Sequence, residues 1–330
     1  MTQDSFSLTV AIPTYNGAQR LPEVLEALRH QSHRSKIDWD IVVIDNNSTD
    51  TTHQVIQAYQ SNWEKHYPLT YYFEPKQGPA FARQRAIKEA KGLYIAFLDD
   101  DNIPATSWIS SIYEFSQNYP QAGAFGGQIN GEYEVKPPEN FKQIAAFLAI
   151  GEHGNQPFRF DPDNLILPPT AGLVVKKQAW QEAVPKTPQL VGSQRNFLAR
   201  GDDYELLLYL HKQGWEIWYN PQMHINHKIP AFRLERNYLL SLARACGLAT
   251  FQLRMINAKT IDKPVIFVRT ILGNLRRIIK QRLKYGEMLK SELIPAVEME
   301  FYRGSMMSVL VGLNNVWNAK FGSVEKSEDQ

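Results

Sequence analysis

The chain has 330 residues, 43% hydrophobic and 21% charged, with a formal net charge of +2. That length suits one large or two modest domains, and the composition excludes a disordered chain, leaving only the tail at residues 325–330 as an expected disordered segment. A single cysteine, Cys246, excludes an internal disulfide; it is read as core filler in a protein of a reducing compartment.

The charge is uneven. Residues 1–230 carry 20 Lys and Arg against 25 Asp and Glu, whereas residues 231–330 carry 16 against 9. The first ten residues show no basic stretch followed by an apolar one, so no secretory signal is expected. No apolar run approaches about 18 residues, so no spanning helix is expected either.

The first half alternates two periods. Residues 7–16 (SLTVAIPTYN) read as a strand, and Leu21, Val24, Leu25 and Leu28 follow at helical spacing. DWDIVVIDNNSTD is a buried-type strand running into turn residues. TTHQVIQAYQSNW is helical, with Asp50 or Thr51 as its cap. LTYYFEP is a strand, and a helix opens at Gly78-Pro79 and ends near Gly92. LYIAFLDDD is the fourth strand, followed by the helix TSWISSIYEFSQNY and the strand AGAFGGQING. Strands separated by helices imply βαβ units and a mostly parallel sheet, whose ligands sit at the carboxyl ends of the strands. The clusters Thr14–Asn16, Asp45–Ser48 and Asp99–Asp101 all fall at such ends and are expected to share one rim. No GxGxxG follows the first strand and no Walker A pattern occurs, which disfavours a dinucleotide or P-loop enzyme.

Three aspartates at the end of a buried strand cost free energy unless a cation offsets them. Residues i and i+2 of an extended segment point the same way, so Asp99 and Asp101 can face one ligand. A divalent ion held by carboxylates and substrate phosphates is the expected partner; a solvated acidic turn is the alternative. Asp45 is either an Asx-turn element or an acceptor for a base edge or ribose hydroxyl. Arg83 and Arg85 lie in the first turns of their helix, where one of them can meet a diphosphate or the acidic rim. Asp202 is read as a helix cap and Asp203 as a carboxylate near the N-terminus of the helix YELLLYLHKQGW. His224 and His227, in PQMHINHKIP after a strand, offer imidazoles suited to Mn²⁺.

Four segments now stand in order: VAIPTYNGAQRLPEVLEAL, IVVIDNNSTDTT, GPAFARQRAIKEAKGLYIAFLDDDN and ARGDDYELLLYLHKQGWEIWYNP. Together, over residues 7–230, they resemble an inverting family 2 glycosyltransferase of the nucleotide-diphospho-sugar transferase (GT-A) fold. Among subtypes they are most similar to the hormogonium polysaccharide biosynthesis glycosyltransferases of cyanobacteria. The resemblance implies an α/β catalytic domain over 1–230; the charge balance and the end of the strands after Pro230 make 231–330 a helical basic region. It implies that Pro13, Tyr15 and Asn16 line the nucleotide site together with Arg83 and Asp100, and that Asp45 holds the base, usually uracil. Asp99 and Asp101 become the DxD element, with Asp101 the main ligand of Mn²⁺ or Mg²⁺ and His227 completing the metal shell. Ala171 and Gly172 mark the loop beside donor sugar and acceptor. Asp203 becomes the catalytic base, paired with Asp202 where the family more often has Glu. Gln84 stands where the family usually has Asn. The implied partners are a UDP-sugar and a saccharide or lipid-linked acceptor, at the cytoplasmic face; peripheral membrane contact is an alternative that rests on the basic C-terminal helix at residues 264–284. Sugar transfer with inversion needs a base for the acceptor proton and charge stabilisation of the departing diphosphate, so carboxylates on both sides of the sugar fit the chemistry. Readings of other kinds are a non-catalytic nucleotide-sugar-binding subunit of a membrane assembly and a nucleotidyltransferase.

In residues 264–284, Val265, Val268, Leu272, Leu275, Ile279 and Leu283 share one face and Arg269, Arg276, Lys280 and Lys284 another. The expectation is a helix packed on the catalytic domain with its basic face in solvent; the alternative is docking on an anionic membrane surface. Nucleic acid is disfavoured, because the basic residues accompany no binding motif.

Overall fold

The structure is a computed structural model that describes residues 6–32, 37–186 and 201–321, with side chains as far as residue 312. The tail expected to be disordered lies outside the described residues.

Two compact units emerge. The first comprises residues 1–134, 149–191 and 206–229, and the second 135–148, 192–205 and 230–330. The second unit thus includes short stretches that precede residue 230.

The first unit is built on a single sheet. Strands β1 (Ser7–Thr14), β2 (Asp38–Asp45), β3 (Leu69–Phe73) and β4 (Tyr94–Phe97) alternate with helices α1 (Leu21–Arg29), α2 (Thr52–Ser61) and α3 (Pro79–Glu89). These strands lie in the order β3-β2-β1-β4, all parallel. Leu8, Val10, Ala11 and Ile12 are fully buried, as are Ile41, Val43 and Ile44. Helices cover both faces of such strands, which is why they read as continuous apolar runs. In α1 the four residues at helical spacing, Leu21, Val24, Leu25 and Leu28, are all fully buried. Each such side chain contributes roughly 2 kcal/mol by leaving water.

The rest of the sheet is less parallel than expected. Beyond β4 come β8 (Val174–Lys176), β6 (Ala122–Tyr133), β9 (Glu216–Ile229) and β5 (Asn102–Pro104), with β7 (Phe158–Arg159) paired to β9. β8 runs antiparallel to both β4 and β6, and β5 and β7 run antiparallel to β9. Strands of two or three residues are too short to show a period, so the sequence conceals them. β9 is long and irregular: its register with β6 shifts between Gly126 and Gln128, opposite the stretch containing Pro221. His224 and His227 therefore lie within this strand, not after it. Helices α4 (Trp108–Asn118) and α5 (Lys177–Ala183) flank the sheet, and Trp108 is fully buried.

The second unit is helical: α7 (Arg236–Asn257), α8 (Lys263–Tyr285) and α9 (Leu293–Phe321), with α6 (Asp202–Lys212) beginning in it. α7 and α9 approach closely. A Cβ on Gly247 would lie 2.4 Å from the Phe301 carbonyl oxygen, and one on Gly304 would lie 2.3 Å from that of Arg244. Among the described residues α7 is the helix long and apolar enough to cross a membrane, but 56% of that stretch is buried inside the protein.

α8 overturns an expectation. Its apolar stripe is exposed, from Val265 at 57% to Leu283 at 83%. What α8 buries is polar: Thr270, Asn274 and Gln281. Asn274 Nδ2 donates to Ser305 Oγ of α9 at 2.9 Å, and Gln281 Nε2 donates to Glu298 Oε2 at 2.9 Å. Periodicity identifies which residues share a face; the inward face is decided by these hydrogen bonds.

Candidate functional site

β1 lies between β2, which the chain visits next, and β4, which it reaches after β3. The direction of strand addition reverses there, and such a reversal opens a crevice at the carboxyl ends of the strands. The expected rim forms at that crevice. Thr14 and Asp45 are register partners at the ends of β1 and β2, and Thr14 Oγ1 donates to Asp100 Oδ2 at 2.5 Å.

The three aspartates divide their roles. They do not continue the strand: β4 stops at Phe97, and the Asn102 amide donates to the Asp99 carbonyl at 3.1 Å. Asp99–Asn102 is therefore a turn, and the alternation expected to bring Asp99 and Asp101 onto one side does not apply. The middle residue, Asp100, is 9% exposed and engaged within the protein. Arg20 grips it with both arms, Nε to Oδ1 and Nη2 to Oδ2, each at 2.8 Å. This fork holds the Arg20 guanidinium above its usual pKa, against the opposing effect of burial. Arg20 Nη2 also donates to the Tyr15 carbonyl at 3.1 Å, tying the β1–α1 loop to the acidic turn. A Cβ on Gly17 would fall 2.0 Å from Thr14 Oγ1 and 2.6 Å from Asp100 Oδ2, so this clamp leaves room only for glycine. Sequence reasoning expects a positive partner for the triplet but misses Arg20, 80 residues away.

Asp101 takes a different partner. Its Oδ2 lies 3.5 Å from His227 Nε2, with the two side chains 14% and 8% exposed. β5 brings them together: Asn102 pairs with His227 across the β5–β9 ladder, and the Lys228 amide donates to the Asp101 carbonyl at 3.0 Å. His227 falls on the buried face of β9 with Met223 and Ile225, whereas His224 is on the other alternation and half-buried. The donor set suits the divalent ion that the resemblance implies, one hard carboxylate oxygen with an imidazole nitrogen acceptable to Mn²⁺. Among the described residues no group of three or more His, Cys, Asp or Glu is placed to hold a metal, so the expected grouping of Asp99 with Asp101 and His227 is not seen as a three-residue cluster. An ion held by these two groups would have positions to spare for water and substrate oxygens, a common state of such ions with nucleotide phosphates.

The remaining rim residues are held by a network. Asp45 is 3% exposed; its Oδ1 accepts the Ser48 amide at 2.9 Å and its Oδ2 the Tyr71 hydroxyl at 3.0 Å. The Asx-turn reading of Asp45 is thus visible, while each oxygen keeps a further lone pair. Burial, and then Asp45, push the Tyr71 hydroxyl up to about 12. Asn16 adopts a positive φ of 50°; its side-chain oxygen accepts the Thr49 amide at 2.8 Å, and its amide donates to Ser48 Oγ at 2.9 Å. Pro13 pairs with Ile44 in the ladder, and Tyr15 is exposed. Asn46 bridges to the start of α3, where its Oδ1 accepts the Gly78 amide at 2.7 Å.

Arg83 is 7% exposed, and its Nη2 donates to Thr170 Oγ1 at 2.8 Å. It supports the turn that carries Ala171 and Gly172, closed by the Leu173 amide donating to the Thr170 carbonyl at 3.0 Å. Arg85 pairs with Glu89 at 2.9 Å, and Gln84 Nε2 donates to the Lys186 carbonyl at 2.8 Å.

Asp202 and Asp203 belong to the second unit. The Gly201 carbonyl accepts the Tyr204 and Glu205 amides at 3.1 and 3.0 Å. Gly201 thus takes the cap position expected of Asp202, and the two aspartates occupy the first helical positions of α6, where a negative charge is favoured. Burial, and then the Asp203 charge, raise the Tyr204 hydroxyl to about 12.

Comparison with known proteins agrees with this architecture. The pattern of Glycosyl transferase family 2 matches residues 9–179. The putative teichuronic acid biosynthesis glycosyltransferase TuaG of Bacillus subtilis is 30% identical over 134 residues, 41% of this chain and 51% of that protein. The GalNAc(5)-diNAcBac-PP-undecaprenol beta-1,3-glucosyltransferase of Campylobacter jejuni is 27% identical over 147 residues, 42% of this chain and 45% of that protein. The chain thus spans about half the length of these curated relatives. Mannosyltransferase PcManGT from Pyrobaculum calidifontis, solved with GDP-Man and Mn2+, superposes with a TM-score of 0.61 at 18% identity, covering 96% of this chain and 88% of that one. The α/β unit, its rim of clamped carboxylates and the matched pattern converge on one assignment: this chain belongs to glycosyl transferase family 2 and has the GT-A fold.

Proposed function

We propose that the chain transfers a sugar with inversion from a nucleotide-diphospho-sugar, a UDP-sugar, to a saccharide or lipid-linked acceptor in polysaccharide assembly on the cytoplasmic side of a membrane. The first unit is the nucleotide-binding part of the catalytic domain, and the hormogonium polysaccharide type is the subtype its motifs favour. The observation that carries this reading is the Asp101–His227 pair beside an Asp100 already neutralised by Arg20. With Asp100 held by Arg20, the Asp101–His227 pair is the part of the site whose donor set suits a divalent ion. The relatives support the acceptor class, since one is named for a glycan on an undecaprenol diphosphate and another for teichuronic acid.

Asp101 and His227 would hold Mn²⁺ or Mg²⁺. When bound, the ion supplies positive charge to the diphosphate oxygens as the leaving group departs. The chain's own residues do the rest. Asp45, Asn16, Pro13 and Tyr15 seat the nucleotide, and Ala171-Gly172, supported by Arg83 and Thr170, lines the sugar. Asp203 accepts the proton of the acceptor hydroxyl as its oxygen bonds to the anomeric carbon and the bond to the diphosphate breaks. The position of Asp203 in the first turn of α6 favours the ionised form that a base needs.

The test is transfer from a panel of nucleotide sugars with Mn²⁺. Asp203→Asn should lower turnover by about 10³-fold while leaving donor affinity within about twofold. Full activity in that variant would remove the base. Donor binding by the unaltered chain with neither transfer nor slow donor hydrolysis would contradict the enzyme reading in favour of a non-catalytic binder.

A further inference from the structure

The stripe on α8 recurs at intervals of three and four residues: Val265, Val268, Leu272, Leu275, Ile279 and Leu283, preceded by Ile261. At about 100° per residue the six helical positions occupy an arc of about 80°, and the stripe extends about 27 Å along the axis. All seven side chains are exposed, Ile261 at 81% and Leu272 at 59%. The opposite side of the helix is committed to the protein through Thr270, Asn274 and Gln281. Half-buried Ile266, Phe267, Ile271 and Ile278 lie between the two faces. A single row of exposed apolar residues this long calls for an apolar partner.

The charges flanking the stripe identify that partner. α8 contains Lys263, Arg269, Arg276, Arg277, Lys280, Arg282 and Lys284 and no acidic residue. Arg269, Arg276 and Lys280 border the stripe on one side and Arg282 on the other. Behind them, burial lowers the pKa of Arg254 on α7, and the neighbouring Arg277 and Arg269 lower it further. A second copy of this chain placed stripe to stripe would bring like charges together. An anionic lipid surface offers acyl chains to the stripe and phosphates to the flanks, the arrangement of an interfacial amphipathic helix.

We propose that α8 is a docking helix that lies on an anionic phospholipid bilayer, with Val265, Leu272, Ile279 and Leu283 inserted and Arg269, Arg276, Lys280 and Arg282 at the headgroups. This goes beyond the transferase reading and does not depend on it, since binding is measured without donor or acceptor.

The experiment is sedimentation of the full chain with vesicles of phosphatidylcholine alone or with added phosphatidylglycerol. The unaltered chain should bind the anionic vesicles about tenfold more tightly or better, with weakening as salt rises. Leu272→Glu with Ile279→Glu should lose that binding by about tenfold or more. Arg276→Gln with Lys280→Gln, which leaves every apolar residue in place, should lower it by about tenfold. Absence of binding to anionic vesicles by the unaltered chain would overturn the proposal, as would unchanged binding by both variants. It would equally be overturned by a dimer in solution that Leu272→Glu with Ile279→Glu dissolves while vesicles are ignored.

Discussion

The rim of the α/β unit and helix α8 of the second unit treat polarity in opposite ways. At the rim, charged side chains are drawn inward and satisfied: Asp100 by Arg20 and Thr14, Asp45 by Ser48 and Tyr71, Arg83 by Thr170. On α8 the uncharged polar residues Thr270, Asn274 and Gln281 are inside, while the apolar stripe is outside. The contrast shows two uses of buried hydrogen bonds. In the first they fix the strand-end rim, with Asp101 and His227 beside each other. In the second they hold a helix by its polar side so that its apolar side faces outward.

Breaking the rim should have the larger effect. Arg20→Met removes both arms of the fork from a buried carboxylate, and unfolding in urea should show a loss of about 2 kcal/mol. Nucleotide affinity should fall with it, because Arg20 also holds the Tyr15 loop. Retention of both stability and affinity would mean that the fork is not what positions the turn.

The α8 side of the comparison predicts smaller effects and an inverted order. Asn274→Ala, which removes the hydrogen bond from α8 to the Ser305 hydroxyl of α9, should cost about 1 kcal/mol. Leu272→Ser, on the exposed stripe, should stay within about 0.5 kcal/mol. If the leucine change proves the more costly of the two in the absence of lipid, the stripe is buried against protein and the inside-out description of the helix fails.

Much of the rim could be read from the sequence, and the reasons are local. Continuous apolar runs such as Ile41–Ile44 ending in turn residues report a parallel strand buried on both faces. Leu21, Val24, Leu25 and Leu28 report a helix face, and all four are buried. What stayed hidden depends on distant pairing. Asp99 and Asp101 look like alternating strand positions, but the Asn102 amide closes a turn on Asp99. The partner of Asp100 is Arg20, which nothing near the triplet announces. The strands β5, β7 and β8 are too short to carry a period. On α8, hydropathy pointed to the wrong inward face, because Asn274 and Gln281 find partners on α9 that only the folded chain supplies.

The most direct test is calorimetric titration of UDP into the full chain with and without Mn²⁺, repeated on Asp101→Asn. Manganese should tighten UDP binding by at least about tenfold in the unaltered chain and leave the variant nearly unchanged. An equal gain in Asp101→Asn, or no response to manganese in the unaltered chain, would contradict the assignment of Asp101 and His227 as the ion's protein ligands.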